Sequence, residues 1–209
     1  SDLKNVRTLI TYIKNMMLNE EELQKLEEES DIRIAGIYRE YCRQMREQKL
    51  MDYDDQMLYA YNILRKDPGV LAYFQNRYPY ICVDEAQDTS KIQHAIIALL
   101  AAGTGNLFMV GDEDQSIYGF RAAYPEALLS FEKKHSGAKV LLMEENFRSN
   151  AKIVEAADKF IQKNTLRHEK HMRAAREARA DIREISLKSR KAQYVYLMKA
   201  AQECTTGMA

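Results

Sequence analysis

Apolar positions in the first third of the chain recur at helical intervals. Leu3, Val6, Ile10, Ile13 and Met17 alternate steps of three and four, the spacing of one buried stripe on a helix. Ile34, Ile37, Tyr38, Tyr41, Cys42 and Met45 repeat it. The acidic stretch between them, Glu20 to Glu22 and Glu27 to Glu29, reads as a solvated helix face with no function of its own. A further helix is predicted after Tyr53, with Met57, Leu58, Tyr61 and Leu64 on one side and Pro68-Gly69 marking its end.

From Tyr80 the pattern shifts to short apolar runs, each closed by acidic residues. Tyr80-Ile81-Cys82-Val83 ends at Asp84-Glu85, Leu107-Phe108-Met109-Val110 at Gly111-Asp112, and Val140-Leu141-Leu142-Met143 at Glu144-Glu145. Runs that are apolar throughout suit parallel strands buried on both faces. Helical patterns follow the first run (Ile92, Ile96, Leu99) and the third (Ile153, Ala157, Phe160, Ile161). This alternation predicts an α/β layer with a parallel sheet, whose ligand site lies at the carboxyl ends of the strands. A last strand from Ile182 to Leu187 and a helix containing Tyr194, Leu197 and Met198 are also predicted.

Composition narrows the picture. With 46% hydrophobic and 30% charged residues, the chain lies among globular proteins and far from disordered ones. Because 31 Lys+Arg balance 31 Asp+Glu, any nucleic-acid site must be local rather than a property of the whole charge. One local candidate is the stretch 163–191, with ten Lys/Arg against four Asp/Glu; it suits DNA phosphates or an exposed helix equally. Cys42, Cys82 and Cys204 lack metal or disulfide spacing, and no apolar run reaches the ~20 residues of a membrane span. The expectation is a soluble, cytoplasmic protein with no membrane partner. His94 reads as a surface or capping residue, His135, His168 and His171 as solvated, and the methionines as core filling.

The acidic strand ends carry the candidate chemistry. Ile81-Cys82-Val83-Asp84-Glu85 has the form of a Walker B strand, its apolar residues burying the strand and aiming two carboxylates at a nucleotide. Asp84 is expected to hold Mg²⁺ mostly through its waters, since magnesium takes oxygen ligands and keeps much of its hydration. Glu85 is expected to position and deprotonate the water that attacks the γ-phosphate of ATP. Many strands end in acidic residues merely because they end at the surface. The second loop, Gly111 to Arg121, adds three carboxylates, Gln115, Tyr118, Phe120 and Arg121, more polar chemistry than a packed structural loop needs. Glu145-Asn146-Phe147-Arg148-Ser149 then brings a guanidinium, at Arg148, to the same predicted sheet edge.

On these residues the sequence resembles the UvrD/Rep family of superfamily 1 DNA helicases. Val83-Asp84-Glu85-Ala86-Gln87-Asp88-Thr89 is similar to its motif II, Val110 to Ala122 to motif III, and Glu145 to Ser149 to motif IV. Met51-Asp52-Tyr53-Asp54-Asp55 is similar to the acidic-aromatic motif that precedes motif II. Ala86, Phe120, Ala122 and Phe147 depart from the family's usual Phe, Trp, Gly and Tyr, and Ala122 alone alters the expected chemistry, by crowding a close backbone approach after Arg121. The resemblance implies a partial RecA-like P-loop NTPase domain with parallel strands plus a helical 1B-like subdomain. It divides the chain into a 1B-like segment (1–65), a 1A segment with motifs II, III and IV (66–163), and the start of 2A (164–209).

The resemblance also implies function. ATP and Mg²⁺ would drive translocation on single-stranded DNA and unwinding at duplex junctions, 3′ to 5′, in repair or replication. Asp84, Glu85, Gln115 and Arg148 are then the catalytic set. Tyr118, Phe120 and Arg121 contact DNA, the aromatics either stacking on bases or lying buried under the loop. Two other readings stay open, a noncatalytic nucleic-acid-binding module and the motor of an AddA/RecB-type helicase-nuclease. No GxxxxGK[ST] loop occurs in the 209 residues, nor do motifs V and VI. The expectation is an internal fragment, inactive alone, whose exposed sheet edges favour self-association.

Overall fold

The computed structural model describes residues 2–30, 32–116, 123–165, 167–178 and 181–203. Tyr118, Phe120 and Arg121, the predicted DNA contacts, lie outside the described residues. The chain forms two compact units, one of residues 1–141 with 166–168, the other of 142–165 with 169–209. It is mostly helical, with small parallel sheets.

The first unit begins with α1 (Asp2–Met16), α2 (Glu20–Ser30) and α3 (Ile34–Glu47). Ile10, Ile13, Leu23, Ile34 and Ala35 form their common core, so the periodic stripe reports the buried face as expected. Leu3 and Ile37 fall off it and are exposed. The acidic side chains of α2 are solvated apart from Glu27, whose Oε2 accepts the Ala35 N–H at 2.8 Å and so satisfies a donor in the first turn of α3. Next comes α4 (Tyr53–Lys66), started by a capping box between Asp52 and Asp55. Pro68-Gly69 does more than end it. Asp67 accepts the Gly69 and Val70 N–H groups with Pro68 in the first turn, and α5 (Pro68–Arg77) follows at once.

Strand β1 (Ile81–Val83) pairs in parallel with β2 (Leu107–Met109), Ile81 opposite Leu107 and Val83 opposite Met109. Helix α6 (Lys91–Ala101) connects them, then short helices α7 (Glu126–Leu129) and α8 (Phe131–Lys134) follow β2. The strands are not buried on both faces. Val83 is buried and its face-mates are half-buried, whereas Cys82 and Phe108, paired on the opposite face, are exposed.

The second unit holds β3 (Glu145–Asn150), α9 (Ala151–Ile161), β4 (Arg173–Arg176) and α10 (Arg190–Glu203). β3 and β4 pair in parallel, with an irregularity between Asn146 and Asn150 where Asn146 Oδ1 accepts the Arg148 and Ser149 N–H groups. Four expectations change here. Residues 140–143 form no strand, and Leu141 and Met143 are more than four-fifths exposed; the run has no ladder partner among the described residues. Arg173–Arg176 is a strand, not an exposed helix, and residues 182–187 are irregular. The three runs do not share one sheet among the described residues, because only the first two form strands, paired as β1 and β2.

Candidate functional site

β1 ends where two acidic side chains face solvent. Asp84 and Glu85 are both exposed, and Asp84 Oδ1 accepts the Glu85 N–H at 2.9 Å. Glu85 has φ 49° and ψ 42°, a left-handed conformation that costs a non-glycine residue about 1–2 kcal/mol. The surroundings hold it there. The Ala86 N–H donates to the Val110 carbonyl at 2.9 Å, the Asp88 N–H to the Glu85 carbonyl at 2.9 Å, and Gln87 Nε2 to Glu85 Oε2 at 2.7 Å. Such strain at a strand end is where functional side chains are commonly re-aimed.

The turn after Glu85 is also tied to α6. The Thr89 hydroxyl donates to the Ala86 carbonyl at 2.7 Å, and His94 Nε2 bonds to that hydroxyl oxygen. His94 is half-buried against this turn, with the Tyr124 ring edge-on beside it, and is neither a surface nor a capping residue. Burial pushes its imidazole below the ordinary 6.5; a bond to the Ala86 backbone opposes this, and the Lys134 charge reinforces it.

The loop after β2 uses its carboxylates in two ways. Asp112 organises the loop, Oδ1 accepting the Asp114 N–H at 3.2 Å and Oδ2 accepting Gln115 Nε2 at 2.8 Å. Glu113, buried, accepts the His168 N–H at 2.8 Å. Asp114 accepts from Arg167 Nε at 2.8 Å and Nη2 at 2.7 Å, a two-pronged pair whose side chains are 11% and 5% exposed. His168 is therefore not solvated, and two of the three carboxylates that made this loop look catalytic bind residues 167 and 168 of the same unit. Gly111 permits the approach of loop to turn. A Cβ there would lie 2.8 Å from Gln87 Oε1, 2.7 Å from Leu128 Cδ1 and 3.2 Å from the Ala86 nitrogen.

Of the predicted site residues, the first unit brings Asp84, Glu85 and Gln115 to the ends of adjacent parallel strands. Arg148 is exposed on β3, in the second unit. No group of three or more His, Cys, Asp or Glu among the described residues is placed to hold a metal directly. The exposed carboxylate of Asp84, with no third ligand-type side chain beside it among the described residues, fits a hydrated Mg²⁺ better than a caged cation. Sequence reasoning passed over Arg167, gave Gln87 no role beyond its place in the motif two residues past Glu85, and misread His94, because the contacts of all three exist only in the fold.

Residues 1–136 match the model of the UvrD/REP helicase N-terminal domain. The chain belongs to this helicase family. It is 40% identical over 164 residues to the ATP-dependent DNA helicase PcrA of Staphylococcus epidermidis, covering 77% of this chain and 22% of that protein. It is 42% identical over 137 residues to the PcrA of Staphylococcus aureus, covering 66% of this chain and 19% of that protein. The UvrD/REP chain thus spans about a fifth of the length of the curated relatives it matches. No helix among its described residues is long and apolar enough to cross a membrane.

Proposed function

We propose that these residues are a segment of an ATP-dependent DNA helicase motor that hydrolyses ATP to move 3′ to 5′ along single-stranded DNA and open duplex junctions, in repair or replication in the cytoplasm. The observation that carries this reading is the placement of exposed Asp84 and Glu85 at the end of β1, linked through Gln87 and Asp112 to Gln115 in the loop that follows its parallel neighbour β2. In this reading β1, β2 and α6 belong to a RecA-like 1A domain (66–163), the first helices to 1B (1–65), and residues from 164 onward to 2A.

Asp84 holds the waters of Mg²⁺, which when bound offsets the charge of the phosphates. Glu85 orients the attacking water and takes its proton. Gln115 and Arg148 sense the γ-phosphate through charge-assisted hydrogen bonds. Tyr118, Phe120 and Arg121 hold the strand. The 209 residues contain no phosphate-cradling GxxxxGK[ST] loop, which supports the view that this chain does not turn ATP over alone. The exposed Cys82–Phe108 face supports self-association of the isolated chain.

The test is Glu85→Gln in the intact reading frame that encodes this segment. DNA-stimulated ATP hydrolysis should fall by roughly 10²–10⁴ while nucleotide binding persists, because the amide keeps the shape and cannot accept the proton. Near-normal turnover would remove Glu85 from the chemistry.

A further inference from the structure

One side chain joins the two halves of the candidate site. Gln87 is 1% exposed and lies between the turn after β1 and the loop after β2. Its Nε2 donates to Glu85 Oε2 at 2.7 Å, and its Oε1 accepts the Asp112 N–H at 2.9 Å. Asp112 Oδ2 in turn accepts Gln115 Nε2 at 2.8 Å. The result is an unbroken hydrogen-bonded chain, Glu85 to Gln87 to Asp112 to Gln115, from the proposed base to the proposed phosphate sensor.

The chemistry of the two ends fixes the residue type and its orientation. A backbone N–H can only donate and an ionised carboxylate can only accept, so the bridging group must offer an acceptor to Asp112 and a donor to Glu85 at once. A primary amide of this length does both without a proton change. A carboxylate could serve Asp112 but would face Glu85 with like charge, and a thioether could accept from Asp112 only weakly and could donate nothing to Glu85. The backbone agrees independently: the Val110 N–H donates to the Val83 carbonyl at 2.8 Å, the Ala86 N–H to the Val110 carbonyl, and Gly111 supplies the only side chain, a hydrogen, that fits beside Gln87 Oε1.

We infer that Gln87 is a positioning residue that sets the orientation of the Glu85 carboxylate according to the position of the Asp112–Gln115 loop; this rests on the hydrolytic reading of Glu85 given above. It acts on the reaction only through Glu85. It makes the aim of the base depend on the segment that senses the phosphate, since a shift of Asp112 removes the acceptor's partner that holds the Gln87 amide in place.

The experiment is steady-state ATP hydrolysis with single-stranded DNA, in the intact reading frame, for the unsubstituted protein, Gln87→Met and Gln87→Glu, from pH 6 to pH 8.5. Cooperative melting checks that each is folded. Gln87→Met should lower kcat by roughly 10–100-fold with KM for ATP changed less than about threefold, because orientation is lost and binding is not. Gln87→Glu should be slowest at high pH and recover relative to the unsubstituted protein as pH falls, because the new carboxyl, raised by its neighbour, donates to Glu85 once protonated. A merely structural role would not produce that pH profile. An unsubstituted protein without turnover would overturn the hydrolytic reading and this inference with it. Turnover in the unsubstituted protein matched within twofold by Gln87→Met, or a Gln87→Glu deficit independent of pH, would overturn this inference alone. If Gln87→Met does not fold, the near-isosteric Gln87→Glu profile decides.

Discussion

Replacing Lys14 with methionine tests the polar centre of the helical part of the chain. Lys14 lies on α1 with its side chain 1% exposed, and its Nζ is 2.7 Å from both Asp52 Oδ2 and Asp55 Oδ1. Tyr41 closes the cluster, its hydroxyl donating to Asp52 Oδ2 at 2.6 Å and its ring centroid 4.9 Å from the ammonium. The same two aspartates form the capping box of α4, so one cation binds α1, α3 and the start of α4 together. Methionine keeps most of the volume and removes the charge. Breaking a buried pair from one side typically costs about 3–5 kcal/mol, because the partner charge stays behind unpaired. Here the carboxylates are 28% and 15% exposed and keep their backbone bonds, so water offsets part of the loss and about 3 kcal/mol is expected.

Thermal unfolding followed by helical circular dichroism should show a midpoint lower by roughly 6–12 °C. The difference should depend on pH in a stated direction. Partial burial pushes the Asp52 carboxyl up, but hydrogen bonds from Lys14, Tyr41 and the Asp55 backbone outweigh it and hold the group below its ordinary 3.8. A depressed carboxyl contributes stability above that ordinary value and loses it as pH falls through the lower folded value. Burial lowers the Lys14 ammonium, and its bonds to Asp52 and Asp55 raise it further than that, above 10.5, so its contribution is complete below 10.5 and lost only at higher pH. The gap between wild type and Lys14→Met should therefore be full at pH 7 and shrink below pH 3.8. A gap under about 1 kcal/mol at pH 7, the range of a surface pair, would refute the reasoning.

Gly111→Ala should destabilise the first unit by roughly 1–3 kcal/mol in urea titration, since the Ala86 backbone cannot yield as the Leu128 side chain can. Arg167→Ala should cost about 3 kcal/mol by the same measurement and show little dependence on salt, because its pair with Asp114 is nearly sealed from solvent.

The helices were legible because burial repeats with the helical period, so Ile10, Ile13 and Ile34 announced their face before any contact was known. The strand at Ile81–Val83 and its acidic end were equally plain. Other elements were hidden for physical reasons. Arg173–Arg176 carries basic residues on a strand whose partner, Glu145–Asn150, is itself polar, so pairing rather than hydrophobicity makes both into strands. Val140–Met143 shows the converse, an apolar run that has no strand partner among the described residues and remains irregular. Helix α5 was masked by Pro68, read as a stop although an aspartate just before a proline is also a start.

The site divides along the same line. Acidic residues close both β1 and β2, and by type alone Asp84, Glu85, Asp112, Glu113 and Asp114 are interchangeable candidates. Folding separates them by exposure and partner. Glu113 and Asp114 are drawn inward by a backbone N–H and a guanidinium more than fifty residues along the chain, contacts that no local spacing encodes. Asp112 is occupied with its own loop. Asp84 and Glu85 alone remain exposed at the strand end, one of them in a strained conformation that a buried glutamine helps to hold. A carboxylate at a strand end is therefore weak evidence for chemistry until its partner is known. An exposed pair with an oriented backbone is stronger, because the hydrogen bonds that hold the left-handed turn at Glu85 also fix where its carboxylate points.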